Sequence, residues 1–309
     1  MAEATIPVDL FNPGQVFACL GFLEAADSLL GDAEGGFDWS DGTKTTFRLR
    51  TSSNECPVAT VLRFIASATI AELEPIGWQG TKFEESVASE EFPSDVYEHF
   101  DAQNKKWTRT RFPFRLATAG KLNRCVDLGN WCDGSSRPSF KLYSGNRSAS
   151  GIAKDMLQGK RGNATKGCPE GKVEFNGVRQ LLAKNEAVLI ADPLGQTCSL
   201  AGRFNFDARC SWTQMDAGFS PDKQDKNIDG VTGSPVVEFL AAWGMEHARP
   251  DEFEVRRVRY GVWSHMLSPM LARPALAAAA IRIPLRKFVF TLELSGKNKV
   301  VTFSSEESK

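Results

Sequence analysis

Residues 140–150 combine side chains that bind phosphate with one that can stack on a base. Lys141 and Tyr143 alternate with apolar residues as in a β-strand, and a Ser-Gly-Asn turn places Asn146 and Arg147 just before a predicted helix. A helix N-terminus offers unpaired N–H groups and a positive dipole, and a nearby guanidinium adds charge, so this corner suits phosphate. The alternative is an ordinary strand-turn-helix connection whose tyrosine belongs to the core.

A second stretch, residues 105–115, places aromatic rings between cations. Cations hold the backbone of a single-stranded nucleic acid while the rings stack on its bases, so the mixture is typical of single-strand binding. The same alternation also fits a solvated β-ribbon with its rings on the core side. The candidate binding residues in this stretch are Lys105, Lys106, Trp107, Arg109 and Arg111.

Basic residues are concentrated in the middle of the chain. The 309 residues carry a formal net charge of −1, yet residues 105–172 hold fifteen Lys or Arg against four acids, and residues 72–101 hold nine acids against one Lys. Such segregation creates a local field that attracts a polyanion even when the net charge is small. Residues 160–167 are polar and glycine-rich, and we expect them to form a loop that becomes ordered on a partner. The remaining binding candidates are Lys160, Arg161 and Arg209.

The sequence contains no motif of a known catalytic or metal-binding class. It has no phosphate-binding loop, dinucleotide fingerprint, nucleophile elbow or HExxH pair. The histidines at 99, 247 and 265 lie far apart, and none has a recognisable partner for general-base chemistry. Acids such as Asp127, Asp133 and Asp207 can ligate a metal, but acids in loops more often form caps and turns. We therefore expect no catalytic residue, no metal site and no cofactor.

Composition places the chain among globular proteins. Hydrophobic residues make up 42% of it and charged residues 24%, and the seven cysteines have irregular spacing without a CxxC pair. This cysteine pattern predicts reduced thiols rather than a disulfide framework. No window approaches eighteen uncharged apolar residues, and the N-terminal residues lack the pattern of a signal peptide. We therefore expect a cytoplasmic protein.

Helices that would position these side chains begin with clear signals. Asn12 and Pro13 predict an N-cap and a first helical residue, and Gly31 can end that helix, whose apolar residues fall on one broad face. Pro57 begins a second helix, whose apolar stripe continues at helical spacing through Leu73. Further helices are predicted over residues 152–157 and 178–184 and from the Ser-Pro pair at 234–235.

Strands are predicted between and after these helices. The ribbon of residues 35–49 turns at Asp41-Gly42, residues 187–191 and 203–207 each look like a strand, and residues 253–303 are rich in strands. Isolated helices among strands fit neither a helix bundle nor a regular βαβ repeat, so we predict an α+β fold with mixed sheets, in one body or two lobes. The predicted segments are an N-terminal α/β lobe with the acidic segment (1–104), a basic nucleic-acid-binding region (105–250) and a β-rich C-terminal segment (251–309).

Four stretches together resemble the CRISPR-associated Csb-type proteins of subtype I-U, now called I-G. The resemblance is carried by DLFNPGQVFACLGFLE at 9–24, KLYSGNR at 141–147, the segment from DAR at 207 to GFSP at 221, and the segment from the Ser-Pro pair at 234 to Pro250. It implies a subunit of a type I RNA-guided surveillance (Cascade) complex, in the position of the large, PAM-sensing subunit. The pattern does not continue after His265.

The resemblance also implies partners. Such subunits bind the 5′ region of the guide RNA and the incoming target DNA beside backbone and Cas5-like subunits, and they leave cleavage to a recruited helicase-nuclease. We therefore expect a non-catalytic subunit of an antiviral ribonucleoprotein complex. Two alternatives stay open: a metal-dependent nuclease or guide-RNA-processing ribonuclease that uses Asp127, Asp133, Asp207 or a histidine, and a structural bridging subunit that binds other proteins.

Overall fold

A computed structural model describes residues 1–75, 86–89, 114–118, 125–128, 140, 142–143, 149–165, 167–169, 171–210, 232–295 and 298–307. Within these ranges the chain forms seven α-helices and sixteen strands. The helices are α1 (Pro13–Leu30), α2 (Pro57–Ser67), α3 (Ala149–Gln158), α4 (Val178–Lys184), α5 (Glu186–Ala191), α6 (Pro235–His247) and α7 (Pro269–Leu276). None of the helices in the described ranges combines the length and apolar character needed to span a membrane.

The strands are short and are distributed over several small sheets. They are β1 (Ala2–Pro7), β2 (Glu34–Asp38), β3 (Thr46–Thr51), β4 (Thr69–Pro75), β5 (Ser86–Ser89), β6 (Phe114–Ala117), β7 (Cys125–Leu128), β8 (Lys160–Arg161), β9 (Val173–Phe175), β10 (Cys198–Ser199), β11 (Thr232–Gly233), β12 (Asp251–Glu254), β13 (Arg257–Trp263), β14 (Leu285–Ser295), β15 (Asn298–Val301) and β16 (Ser305–Glu306). The fold class is α+β, as the sequence predicts.

Three sheets surround the helices. One has the order β1-β3-β2 and a second the order β12-β13-β14-β15 with β16 also paired to β14, and every pairing in these two is antiparallel. The third has the order β5-β4-β6-β7, in which only the β4–β5 pairing is parallel. Strands β8 and β9, and strands β10 and β11, form separate two-stranded ribbons.

Helix α1 lies at the centre of the core. Asn12 caps it by accepting a hydrogen bond from the Gly14 N–H, Pro13 occupies its first turn, and Gly31 ends it at φ 76°, so both predicted boundaries are confirmed. The prediction of a single apolar face is wrong, because 15 of the 18 residues of α1 are buried. A helix that is apolar on all sides belongs inside a protein rather than on its surface.

Helix α6 packs directly against α1, and glycines allow the two backbones to touch. A Cβ on Gly21 would overlap the carbonyl oxygen of Leu240, and a Cβ on Gly244 would lie 2.6 Å from the carbonyl oxygen of Phe17. The predicted start of α6 is confirmed, because the Ser234 side chain accepts a hydrogen bond from the Val237 N–H at 3.3 Å. The absence of side chains at Gly21 and Gly244 therefore allows the backbones of α1 and α6 to come into direct contact.

Three predicted elements take another form in the structure, and a fourth is absent. Helix α2 ends at Ser67, where the Arg179 side chain donates to the Ala66 carbonyl, so Leu73 lies in β4 rather than in the helix. Residues 187–191 form helix α5 instead of a strand, because Asn185 caps the segment by accepting from the Val188 N–H. Residues 160–161 pair with β9 instead of lying in an unpaired loop.

The predicted strand at 203–207 is absent for a different reason. The carboxylate of Glu238, in α6, accepts the backbone N–H groups of Phe204 and Asn205 at 2.7 and 2.8 Å and that of Asp207 at 2.8 Å. A strand ladder would need the same N–H groups, which are already bound to Glu238. Asn205 also adopts φ 73°, which lies outside the strand region. Residues 203–207 therefore wrap around a buried carboxylate and form no strand, and the Asn205 carbonyl accepts a single hydrogen bond from the Val301 N–H of β15.

Candidate nucleic-acid interface

Most of the predicted binding residues lie outside the described ranges. Their predicted roles stay predictions, and they are Lys105, Lys106, Trp107, Arg109, Arg111, Lys141, Asn146 and Arg147. The structure does place Tyr143, Lys160, Arg161 and Arg209, and it gives these four residues different roles.

Tyr143 lies in the core. Its exposed fraction is 3%, and its ring packs against Phe204 with the centroids 5.4 Å apart. The neighbouring Leu142 carbonyl accepts a hydrogen bond from Lys299 at 2.8 Å, which ties the segment to β15. Phe140 adopts φ 52° and no strand forms there. These contacts correct the expectation that Tyr143 stacks on a base, because its ring is enclosed by the protein.

We expect Tyr143→Ala to destabilise the fold by about 3 to 5 kcal/mol, the usual cost of deleting a buried aromatic ring. Denaturant unfolding of the variant measures this loss. Tyr143→Phe is the matched control, because it keeps the ring and should cost roughly 1 kcal/mol for the hydroxyl group alone. A Tyr143→Ala protein that unfolds like the wild type but binds nucleic acid weakly would restore the stacking role.

A buried carboxyl group contacts the first turn of α3. Ser150, in the first turn, donates its hydroxyl hydrogen bond to the carboxyl group of Glu72, a β4 residue that is only 8% exposed. A phosphate at this helix end would have to approach a buried carboxyl group, which disfavours it. The residues that precede this helix lie outside the described ranges, so the predicted phosphate site at its start stays a prediction.

Arg209 is bound to the protein itself. Its guanidinium donates to both carboxylate oxygens of Asp207, at 2.8 to 3.1 Å, and to the Leu194 carbonyl at 2.8 Å. The side chain is 25% exposed and Asp207 is fully enclosed. A buried carboxylate already uses the charge of Arg209, which disfavours its predicted contact with nucleic acid.

Asp207 belongs to a cluster of buried polar side chains that the sequence did not predict. Its carboxylate also accepts from the Asn12 side chain at 3.0 Å and from the Ser234 N–H at 2.9 Å. Glu238 lies beside it and is 0% exposed. We call Asn12, Asp207, Ser234 and Glu238 the buried polar junction. Three of the stretches that carry the family resemblance meet here, which gives them a structural role.

Burial raises the pKa of Glu238 to about 7 from the ordinary 4.5, although the backbone N–H groups that it accepts act in the opposite direction. One signal in the sequence points to this residue. Glu238 is the only charged residue in the run from Pro235 to Met245, and a lone acid in an apolar helix is rarely buried without donors around it.

Lys160 and Arg161 lie on an exposed antiparallel ribbon. Strands β8 and β9 pair Lys160 with Phe175 and Arg161 with Val173, and Gly162 N–H donates to the Lys172 carbonyl at 2.9 Å. We call residues 160–175 the basic hairpin. Both Lys160 and Arg161 are exposed, so this part of the predicted interface is accessible.

A glycine with a positive φ precedes each strand of the basic hairpin. Gly159, just before β8, has φ 72°, and Gly171, just before β9, has φ 74°. The Arg161 guanidinium donates to the Gly171 carbonyl at 3.1 Å, which holds the end of its side chain across the ribbon. A side chain held in this way has less conformational entropy to lose when it binds phosphate.

The surroundings of the basic hairpin are also basic. Residues 149–184, which run from α3 through the hairpin to α4, contain seven Lys or Arg against three acids. The exposed cations among them include Lys172 and Lys184. An excess of positive charge on a projecting ribbon attracts a polyanion.

Asp127, Asp207 and His247 of the nuclease alternative are engaged elsewhere, Asp133 and His99 lie outside the described ranges, and His265 is exposed. Asp127, in β7, forms a two-bond ion pair with Arg115 of β6 at 2.7 and 2.8 Å, and Asp207 is part of the buried polar junction. His247 lies 3.9 Å from Glu24, and burial lowers its pKa. Within the described ranges, no three His, Cys, Asp or Glu side chains form a group that could hold a metal ion.

Comparisons with known proteins found no relative of this chain. No protein-family model, no curated protein and no solved structure matches the chain.

Proposed function

We propose that this chain is a non-catalytic, nucleic-acid-binding subunit of a type I CRISPR RNA-guided surveillance complex in the cytoplasm. The observation that supports the binding role is the basic hairpin, where Lys160 and Arg161 are exposed on a paired ribbon. The resemblance of the four stretches supplies the identity of the complex. The proposed ligands are the guide RNA and the target DNA.

The hairpin would bind mainly the phosphate backbone. Its described part carries cations and one aromatic residue, Phe175, which is half-buried. Lysine and arginine contacts to phosphates are independent of sequence and release condensed counterions, so binding should weaken steeply as salt is raised. Backbone contact of this kind suits a subunit whose sequence specificity comes from base pairing of the guide.

The proposed partners within the complex are the backbone and Cas5-like subunits and a recruited helicase-nuclease. The buried polar junction supports a non-catalytic role for this chain, because Asp207 and Glu238 are enclosed by the protein and hold it together. In the proposed arrangement this chain positions nucleic acid and the helicase-nuclease cuts it.

The double variant Lys160→Ala/Arg161→Ala tests the binding role. Removing two phosphate contacts should lower the magnitude of the slope of log K against log salt by about 2 and should weaken binding at low salt by about tenfold. The measurement is a salt titration with labelled guide RNA and target DNA. Lys44→Ala/Arg282→Ala is the matched control, because both side chains are exposed and lie outside the hairpin; it should bind like the wild type.

The same samples test the identity of the complex. Co-expression with the backbone and Cas5-like subunits and a guide RNA should bring the chain into one ribonucleoprotein particle that binds target DNA. A particle that assembles and binds its target equally well without this chain would contradict the proposal. Cleavage of labelled RNA or DNA by the purified chain with Mg²⁺ or Mn²⁺ would favour the enzyme alternative instead.

A further inference from the structure

A second surface has the opposite charge. A pocket of about 410 Å³ lies where the end of α1, the start of β2 and the first turn of α7 meet. Three carboxylates line it, from Asp27, Asp32 and Glu34, together with the apolar side chains of Pro269 and Met270. None of the residues of the basic hairpin lines the pocket, so it is a separate site.

The one arginine in the pocket is already neutralised. Arg273 donates to both carboxylate oxygens of Glu24 at 2.7 and 2.8 Å, and Glu24 is only 5% exposed. This hydrogen-bonded pair is the main reason that the pKa of Arg273 is raised. Glu34 has a partner of its own in Arg50, and that pair is partly exposed. The pocket therefore keeps a surplus of negative charge.

The end of α1 adds to this negative charge. The last turn of an α-helix carries a partial negative charge, which basic residues usually offset. Helix α1 has 18 residues and no basic residue in its last turn, which instead contains Asp27. Asp32 follows at φ 47°. This arrangement costs electrostatic energy in the isolated protein, and a cation in the pocket would lower that cost.

Met270, which lines the pocket, is followed by a second exposed aliphatic residue, Leu271, and we call the two the apolar ridge. These side chains, in the first turn of α7, are 76% and 49% exposed. Two adjacent long aliphatic side chains at the edge of a concave surface are typical of protein contact sites. The ridge is independent of the carboxylates, and it requires a partner with apolar groups as well as positive charge.

We propose that this surface docks a segment of a partner protein that carries an arginine or lysine beside aliphatic side chains. The cationic head would lie among the three carboxylates, and its aliphatic stem and neighbours would pack on Met270 and Leu271. Nucleic acid does not fit, because the carboxylates repel phosphate. The inference goes beyond the proposed function, since it assigns a protein-binding face that does not depend on the hairpin.

The test uses the synthetic peptide Ac-(Arg-Leu)₃-NH₂ as the probe and its Glu-Leu counterpart as the comparison. The readout is the NMR signal of the Met270 methyl group in protein labelled at its methionine methyls, identified by its loss in Met270→Leu. We expect the arginine peptide to shift this signal with saturable dependence on concentration. The glutamate peptide should leave it unchanged.

The double variant Asp32→Asn/Glu34→Gln should weaken peptide binding by about fivefold, because it removes two partly exposed charges. Asparagine tolerates the positive φ of residue 32 and can still accept from the Ser52 hydroxyl, so the fold should be kept. The matched control is Glu252→Gln/Glu254→Gln, which removes two exposed acids outside the pocket. It should bind the peptide like the wild type.

Three results with the peptides would overturn the proposal. They are an unmoved Met270 signal at millimolar peptide, equal shifts with both peptides, and unchanged affinity in Asp32→Asn/Glu34→Gln. A Met270 signal that changes on dilution without any peptide would assign the surface to a second copy of this chain and would also overturn it. Lys160→Ala/Arg161→Ala should bind the peptide normally, so failure here is separate from failure of the proposed function.

Discussion

Gly21→Ala is expected to destabilise the protein by about 3 kcal/mol or more, the upper part of the range for overpacking a core. The sign is informative, because Gly→Ala inside an isolated helix would stabilise it by roughly 1 kcal/mol. In this protein the added methyl group would meet the Leu240 carbonyl oxygen of α6, and a backbone atom cannot rotate away. The two helices would have to separate, and α1 packs on buried residues on almost every side.

Denaturant unfolding at fixed pH measures this effect. Gly42→Ala is the matched control, because no atom lies within 4 Å of the added methyl group at that turn. Its free energy of unfolding should stay within about 0.5 kcal/mol of the wild type. A Gly21→Ala protein as stable as the wild type would show that α1 and α6 do not cross at this glycine.

Glu238→Ala is expected to cost at least about 3 kcal/mol, because it leaves three buried N–H groups without their acceptor and each such group costs roughly 1 to 3 kcal/mol. The donors belong to Phe204, Asn205 and Asp207. Glu238→Gln should lose less, since its amide keeps one oxygen acceptor. Glu3→Gln, at a partly exposed ion pair with Arg48, is the matched control and should change little.

The pH dependence of stability gives an independent check on Glu238. Its pKa in the folded protein is raised to about 7, so the folded state binds a proton more tightly than the unfolded state between about pH 4.5 and 7. The stability from this group is fully present below pH 4.5 and is lost as the pH rises through 7. The penalty of Glu238→Gln should therefore be larger at pH 5 than at pH 8. An equal penalty at both values would place the pKa near its ordinary value.

Local signals in the sequence predicted element boundaries well. Asn12 with Pro13 and Ser234 with Pro235 mark helix starts because capping depends on neighbouring residues alone. The complete burial of α1 is harder to predict from the positions of its large apolar residues, since small residues such as Gly21 lie on its other faces. Residues 10–23 contain no charged side chain at all, and that signal does indicate a fully enclosed helix.

Other elements depend on residues far away in the chain. The alternation at 203–207 suits a strand, but Glu238 supplies the acceptors for its N–H groups from 31 to 34 positions further on. The apolar run at 187–191 is too short for periodicity to separate strand from helix, and its cap decides the outcome. The first result was not accessible to a rule that considers only adjacent residues. The second was accessible, because Asn185 lies directly before the segment that it caps.

The candidate interface was predictable in part for similar reasons. Lys160 and Arg161 lie among glycines and polar residues, which predicts exposure, and they are exposed. Tyr143 has an alternating pattern that fits a base-stacking ring and a core ring equally well. Its position was decided by Phe204, sixty-one residues away in the sequence. Arg209 likewise required knowledge that the adjacent Asp207 is buried.

The central position of α1 has a consequence for how the protein is made. The turn before α1 is completed by Tyr260, whose hydroxyl donates to the Leu10 carbonyl across 250 positions of sequence. Ribosomes add about 5–20 residues per second, so this helix, with 15 of its 18 residues buried in the folded protein, would wait roughly 12 to 50 seconds for that contact. During synthesis, α1 is therefore a segment that a chaperone would have to protect.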